Sequence, residues 1–307
     1  ALVAFACLAL VGWTWPDLQA GHVLHYEQRW LPDVGLNFTL RFDGFAWLFA
    51  LLITGIGLLV SIYARYYMSR EDPVPRFFSF LLAFMGAMMG VVTAGNLVQL
   101  VFFWELTSLF SFMLIGYWHH RKDARRGART ALTVTGAGGL AMLGGIVLLG
   151  HIAGSYELDE VLNAGDVVRA SPLYRPMLIL VLLGALTKSA QFPFHFWLPR
   201  AMAAPTPVSA YLHSATMVKL GVYLLARLDA GMDAWPWWQN SLQIAGAFTA
   251  AWGIVLALRE FDLKRILAWS TVATLGTLVF IVGMPGYAAS VAVAALLLAH
   301  AMYKATL

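Results

Sequence analysis

An all-helical protein that crosses a membrane about ten times is the fold class this sequence predicts, and three observations predict it. Hydrophobic residues make up 60% of the 307 and charged residues only 12%, against roughly 25% charged in an ordinary soluble domain. Apolar stretches long enough to span a bilayer recur from one end of the chain to the other. The charged residues between those stretches sort by side, as loops of a membrane protein do.

Taken in order, the stretches are 1–15, 44–64, 77–95, 97–118, 129–152, 176–197, 205–228, 238–258, 265–283 and 285–307. The first opens on Ala1 inside its apolar run, and the last stops at Leu307, one turn past Lys304. The chain therefore reads as a piece of a longer protein. Two polar excursions interrupt the spans, 15–43 and 154–175, and neither is long enough to be a domain, so 1–307 is read as one transmembrane domain. Trp13, Trp15, Trp30, Trp235, Trp237 and Trp238 cluster near span ends on the side of those excursions, where amphipathic rings settle at headgroup level. The single Cys7 excludes internal disulfides, a four-cysteine zinc site and an iron-sulfur cluster. No cofactor is expected, and redox chemistry within this chain is not.

Orientation follows from charge. Between spans four and five lie Arg121, Lys122, Arg125, Arg126 and Arg129, opposed only by Asp123. Placing that loop in the cytoplasm fixes every other loop by alternation. The inside loops then hold 12 basic and 5 acidic residues, and the outside loops, with Arg227 counted among them, 5 basic and 10 acidic. The net charge of +4 thus reflects cytoplasmic loops, and no nucleic-acid partner is implied.

Four ionisable groups remain inside spans: Glu105, Lys188, Lys219 and Lys304. Each costs roughly 2.5 to 3.5 kcal/mol near a helix centre, and such groups mark ion or proton paths. In span four, Phe103-Trp104-Glu105-Leu106-Thr107-Ser108 sets a carboxylate in an aromatic wall with hydroxyls a turn away. It reads as a proton-binding or lysine-modulating group, or as half of an ion pair locking two helices. Span five carries Gly136, Gly138 and Ala141 at the spacing of a dinucleotide fingerprint, but no strand precedes them, so Ala137, Ala141 and Gly145 are read as a ridge for close helix packing.

Span six is the most informative. Thr187-Lys188-Ser189-Ala190-Gln191-Phe192-Pro193 puts Pro193 at mid-membrane, where it removes a backbone bond and breaks or kinks the helix beside Lys188. Freed backbone groups at that depth need partners in protein or water, and broken helices are recurrent at transporter ion sites. In span seven His213 and Lys219 lie six residues apart, about 9 Å along a continuous helix. Read as successive stations of a proton wire, they are spaced by Ser214 and Thr216; His213 is equally well read as a packing residue. His300 and Lys304 in span ten share a helix face. They suit proton exchange or, for His300, a polar contact between helices. There is no P-loop, metal-ligand cluster or hydrolase triad.

These motifs also carry a resemblance. Phe103 to Ser108, Leu114-Ile115-Gly116-Tyr117-Trp118, Thr187 to Phe194, Ala204 to Lys219, Ala268-Trp269-Ser270-Thr271-Val272 and His300 to Thr306 resemble the A subunit of the Mrp (Mnh, Pha) multisubunit Na+/H+ antiporters. That family shares a superfamily with the proton-pumping membrane subunits of respiratory complex I. Glu-Leu-Thr-Ser after Trp104, a lysine at 219 and glycines at 138 and 139 favour the Mrp branch. Arg200 departs from the pattern, being often acidic in members of the family.

The resemblance implies an inverted repeat of five helices over 77–228, with a second repeat beginning at 238–307. It implies Glu105 and Lys188 as a working pair, His213 and Lys219 as the inward path, and His300 with Lys304 as the bridge to the second repeat. The function implied is exchange of cytoplasmic Na+ for external H+, driven by the proton-motive force in the cell membrane, together with the other subunits of an Mrp complex. Such a subunit is a secondary transporter component rather than an enzyme. The rival readings are a proton-pumping subunit of complex I or of a membrane hydrogenase, distinguished by neighbouring genes, and a non-conducting scaffold, distinguished by activity that survives loss of Lys188.

Overall fold

Three of the long helices start where a short polar side chain takes the first free amides. Asp43 accepts from Ala46 N (2.9 Å), Asn96 from Val98 N (2.9 Å) and Gln99 N (3.3 Å), and Asp262 from Arg265 N (2.9 Å). Each is an N-cap, the position where Asp and Asn satisfy the amides a helix leaves unpaired. The apolar runs behind these caps supply the spans. A computed structural model describes residues 1–31, 35–69, 71–214, 216–232 and 235–307.

In chain order the elements are α1 (Leu2–Trp13), α2 (Trp15–Gln19), β1 (Leu24–Leu31), β2 (Leu36–Phe42), α3 (Gly44–Tyr67), α4 (Val74–Val92), α5 (Leu97–Ile115), α6 (Lys122–Ala153), α7 (Leu158–Asn163), α8 (Gly165–Ala170), α9 (Tyr174–Lys188), α10 (Trp197–Ala201), α11 (Thr206–Ser214), α12 (Leu220–Met232), α13 (Pro236–Arg259), α14 (Leu263–Val282) and α15 (Tyr287–Thr306). Among the described residues eight helical segments are long and apolar enough to cross a membrane, counting α1 with α2 as one. The protein is a polytopic all-α membrane protein. The sixth and seventh expected spans are absent from that set because both are interrupted: α9 gives way to α10, and α11 to α12. One broken helix was expected, and two are found.

The first excursion is more ordered than its length suggested. β1 and β2 form an antiparallel hairpin, with Leu24 opposite Phe42 and Gln28 opposite Phe38. Its inner strand is knitted to the bundle, for Arg41 N donates to Thr93 O and Gly95 N to Thr39 O, both at 2.8 Å. The turn into the second excursion joins the same patch, since Leu97 N donates to Tyr156 O and Leu158 N to Gly95 O. On the opposite face, the ends of α3 and α10, the turn after α5 and the starts of α6 and α14 converge around a cavity of about 660 Å³. These are the loops that the charge alternation assigned to one side.

Close helix packing is set by glycine. A methyl at Gly246 would meet Phe280 N at 2.4 Å and one at Gly276 would meet Ala250 N at 2.5 Å, so α13 and α14 touch backbone to backbone. Between α6 and α9 the approach uses Gly145, where a methyl would meet Val181 at 2.8 Å, and Gly138. Small residues allow this approach where no hydrophobic force pulls helices together. Of the expected ridge, Gly145 does face α9, but Gly138 rather than Ala137 joins it there, and Ala137 is exposed.

Two residues assigned to outer surfaces are buried. Trp238 is enclosed and donates its indole N–H to Asp229 Oδ1 at 2.7 Å. Arg227 lies within α12, which runs a turn beyond the expected span end, and is 8% exposed.

Candidate functional site

Lys188 is the last residue of α9 and is wholly buried. Its Nζ donates to the carbonyl of Trp104 at 3.1 Å and to Ser108 Oγ at 2.7 Å, and lies 5.1 Å from the Trp104 ring centroid. A carbonyl, a hydroxyl and a π-face therefore replace the ammonium's water shell. Thr107 Oγ1 donates to the same Trp104 carbonyl at 2.7 Å. The hydroxyl pair noticed in the sequence is thus the lysine's docking surface on α5.

Glu105 stands within electrostatic range of Lys188 but makes no ion pair with it among the described residues. The locking ion pair weighed for this carboxylate is absent. Its Oε1 is buried without a hydrogen-bond partner and rests on α6, where a methyl at Gly139 would meet it at 1.6 Å. Gly138 does the same for Thr187, whose Oγ1 would lie 1.8 Å from an added methyl. The two consecutive glycines of α6 make the room in which the carboxylate and the residue before Lys188 sit.

The break behind Lys188 is held by protein groups, as non-helical backbone at membrane depth requires. Helix α9 ends at Lys188, Ala190 takes φ 48°, and a short 3-10 turn at Phe194–Phe196 leads into α10. Trp197 Nε1 donates to Thr187 O (2.9 Å), Gln191 Nε2 to Ser189 O (2.9 Å) and Phe192 N to Thr249 Oγ1 of α13 (3.0 Å). The Ser189 hydroxyl reaches into the second break. It donates to Val218 O at 2.7 Å and accepts from Val222 N at 3.2 Å. In a continuous helix those two backbone groups would bond to each other. One side chain of the first broken helix therefore fills a rung of the second.

Lys219 closes the 3-10 turn Met217–Lys219 between α11 and α12. It is fully buried, and its Nζ donates to Leu297 O of α15 at 2.9 Å. The break also separates His213 from Lys219, so the spacing expected along one helix does not apply. On α15, Lys304 repeats the docking of Lys188: its Nζ donates to Leu267 O at 3.0 Å and to Ser270 Oγ. Thr271 Oγ1 shares that carbonyl at 2.8 Å. Both lysines thus dock on a carbonyl whose helix places hydroxyls three and four residues later, and Ala268 stands where the first station has Glu105.

His213 and His300 are buried, and among the described residues both nitrogens of each ring lack a hydrogen-bond partner. His300 lies within electrostatic range of Lys219, Lys304 and His213. The predicted residues thus form a buried polar course in two parts, Glu105 beside Lys188, and Lys219, His213 and Lys304 around His300, joined through Ser189 and the Val218–Val222 rung, with Pro193 in the first break.

Sequence reasoning missed Ser189 and the outer cluster around Asp43. Arg227 donates to both oxygens of Asp43, at 3.0 Å for the Nη2 contact, and Arg41 joins the same carboxylate while reaching Asp159 at 2.8 Å. Tyr223 OH accepts from Arg227 at 3.0 Å and donates to Val92 O at 2.9 Å. Burial pushes the Asp43 carboxyl upward, but the hydrogen bonds and charge of Arg227, the Ala46 amide and Arg41 prevail and hold it well below the usual carboxylate range.

Comparison with known proteins places this arrangement. A family described as NADH:quinone oxidoreductase/Mrp antiporter, TM, matches residues 94–307, the whole stretch that holds the buried course. The chain belongs to that family. A second profile, the complex I chain 5 N-terminus, matches residues 30–78. Among relatives, the chain is 58% identical over 308 residues to a probable K(+)/H(+) antiporter A/B subunit of Rhizobium meliloti, covering 99% of this chain and 30% of that protein. It is 51% identical to the Na(+)/H(+) antiporter A subunit of Alkalihalophilus pseudofirmus, over 86% of this chain and 33% of that one. The chain therefore spans about a third of the length of the relatives it matches.

Among solved structures, the Mrp complex from Dietzia sp. DQ12-45-1b contains a chain that superposes with a TM-score of 0.90 at 36% identity, over 99% of this chain and 34% of that one. A chain of the archaeal membrane-bound sulfane sulfur reductase superposes with a TM-score of 0.89 at 22% identity, over 99% of this chain and 62% of that one, and shows the same fold. Within the NADH:quinone oxidoreductase/Mrp antiporter family, the similarity in sequence thus runs to the Mrp A subunits.

Proposed function

We propose that this chain is part of the A subunit of an Mrp-type antiporter in the cell membrane, exchanging cytoplasmic Na+ for external H+ together with the complex's other subunits. The observation that carries the reading is Lys188: a buried ammonium at the end of a broken helix, docked on neutral oxygens near an unpartnered carboxylate. Such a group can take up or release a proton without losing its place, and the change in charge alters how strongly it holds Trp104 and Ser108. Protonation of Lys188 is the switch, Glu105 stabilises the charged form, and Lys219, His300, His213 and Lys304 relay protons across the bundle. The repeats are 77–228 and the beginning of a second at 238–307.

The test is Lys188→Ala in the complete complex, measured as cation-induced proton movement in everted vesicles. Exchange is abolished while assembly persists. Running Na+ and K+ side by side identifies the cation, a choice made pointed by the K(+)/H(+) name of the 58% identical relative. Undiminished exchange by an assembled variant overturns the role of Lys188 and favours a scaffold.

A further inference from the structure

The cavity on the basic face lies beside the buried course, Lys264 of its lining being within electrostatic range of His213, and its lining is distinctive. Arg121, Arg126, Arg200, Lys264 and Arg265 border it, against the two carboxylates Asp123 and Asp262. Most of the acid is already engaged. Asp123 is paired with Arg121 at 2.6 Å, and Asp262 caps α14 through Arg265 N. Among the described residues neither Arg126 nor Arg200 has a carboxylate partner, and Arg200 only stacks on Phe196 at 5.6 Å. Lys264 donates to a neutral group, Ala204 O, at 2.8 Å. Among those residues, three cations from three separate elements thus face one space of about 660 Å³ without an ion-pair partner. That volume lies within the range of ordinary ligand sites.

Position narrows the ligand. Tyr67 and Trp118 line the same cavity, as amphipathic rings do at headgroup depth. On either side of the lining residue Asp262 in the chain, Phe261 is 97% and Leu263 79% exposed. Two exposed apolar side chains close in the chain to unpaired cations offer both surfaces that a molecule with an anionic head and apolar tails needs. Arginine forks match phosphate geometry.

We propose that this cavity binds the phosphate of an anionic phospholipid headgroup between Arg126, Arg200 and Lys264, with the acyl chains lying against Phe261 and Leu263. The chemistry recognised is a phosphate anion, which a lipid or free phosphate could supply. The test uses the complete complex in phosphatidylcholine vesicles doped with photoactivatable phosphatidylglycerol, followed by peptide mapping. Label concentrates in 118–127 and 258–265, beyond that given by photoactivatable phosphatidylcholine, and unlabelled phosphatidylglycerol competes it away. The Arg126→Gln/Arg200→Gln double variant binds roughly 30-fold more weakly, at one ordinary headgroup contact per arginine, and the double lysine variant recovers most of the label. Competition by inorganic phosphate at equal potency supports the phosphate site and assigns it to the soluble ion. Label no greater than that of phosphatidylcholine, or an assembled glutamine variant labelled like the wild type, overturns the proposal. Should the glutamine variant fail to assemble, the wild-type map and its competition decide.

Discussion

Ser189→Ala is the substitution that most directly probes how the two broken helices are joined. The hydroxyl makes two bonds, to Val218 O at 2.7 Å and from Val222 N at 3.2 Å, in a fully buried setting. Hydrogen bonds between membrane helices contribute about 0.6 kcal/mol on average, which sets the lower end of the loss near 1 kcal/mol for two. Leaving both backbone groups unsatisfied costs about 1 to 3 kcal/mol each. The chain can recover one bond, because Val222 N and Val218 O are the natural partners of a continuous helix. The expected net cost is therefore about 1 to 3 kcal/mol. Recovery has its own effect: closing that rung winds α12 back through Met217–Lys219 and turns Lys219 away from Leu297 O. The assay is thermal inactivation of the purified complex alongside exchange in everted vesicles. The alanine variant has a lower midpoint and roughly tenfold slower exchange, equivalent to 1.4 kcal/mol, and Ser189→Thr keeps most of both. An assembled alanine variant with the wild-type midpoint and exchange rate would refute the idea that this hydroxyl joins the breaks.

Four further outcomes can be measured. Gly139→Ala pushes back only the flexible end of Glu105, so the complex assembles and exchange falls about fivefold, the effect of moving a unit charge some 2 Å farther off at an effective dielectric near 20. Gly138→Ala instead drives a methyl into the stiff β-branched Thr187, at a cost of about 1 to 3 kcal/mol read as lower complex yield. Asp43→Asn strands Arg227 and lowers the thermal midpoint by the equivalent of about 2 to 4 kcal/mol. In the unaltered protein the folded Asp43 pKa lies below its unfolded value, so this stabilisation is complete above about pH 4. It is lost only as pH falls through the depressed native value, and a stability curve between pH 5 and 8 shows no step from this pair. In a Cys7→Ser background, a cysteine at Lys122 resists membrane-impermeant thiol reagents in intact cells and one at Glu160 reacts; the reverse pattern inverts the topology.

The lysines were legible because a charge in an apolar stretch is visible without knowing its neighbours. The first break was legible for a similar reason, since Pro193 acts through its own covalent structure. The second break has no proline at Thr216 or Met217 to announce it; it depends on Ser189 from another helix and on Leu297 of α15, contacts separated by 29 residues or more. Arg227 was misplaced because it is the second-last residue of the 205–228 stretch and was counted with the loop beyond, whereas α12 runs on to Met232 and buries it. The hairpin did leave a signal: Leu36, Phe38, Leu40 and Phe42 alternate with Asn37, Thr39 and Arg41, the period of a strand, although the side the bundle covers is that of Thr39 and Phe38 is exposed. The shortness of the segment concealed it. No sequence pattern foretold that Glu105 would settle on Gly139 rather than on Lys188, because that depends on how α5 and α6 approach.

The two faces of the bundle are built differently, and this bears on where foreign sequence can be inserted. On the hairpin face, successive loops share backbone hydrogen bonds from Thr39 and Arg41 through Thr93 and Gly95 to Tyr156 and Leu158. An epitope or fluorescent tag placed there would have to part a continuous seam. On the basic face the loops meet across a cavity, and residues 119–121, which precede α6, are exposed, with the carbonyls of His119 and His120 bonded locally by Arg125. Insertions are tolerated where the affected backbone is exposed and carries few bonds. A reporter for following this protein in a living membrane therefore belongs between His119 and Arg121, and the same reporter in the hairpin would cost the fold its outer edge.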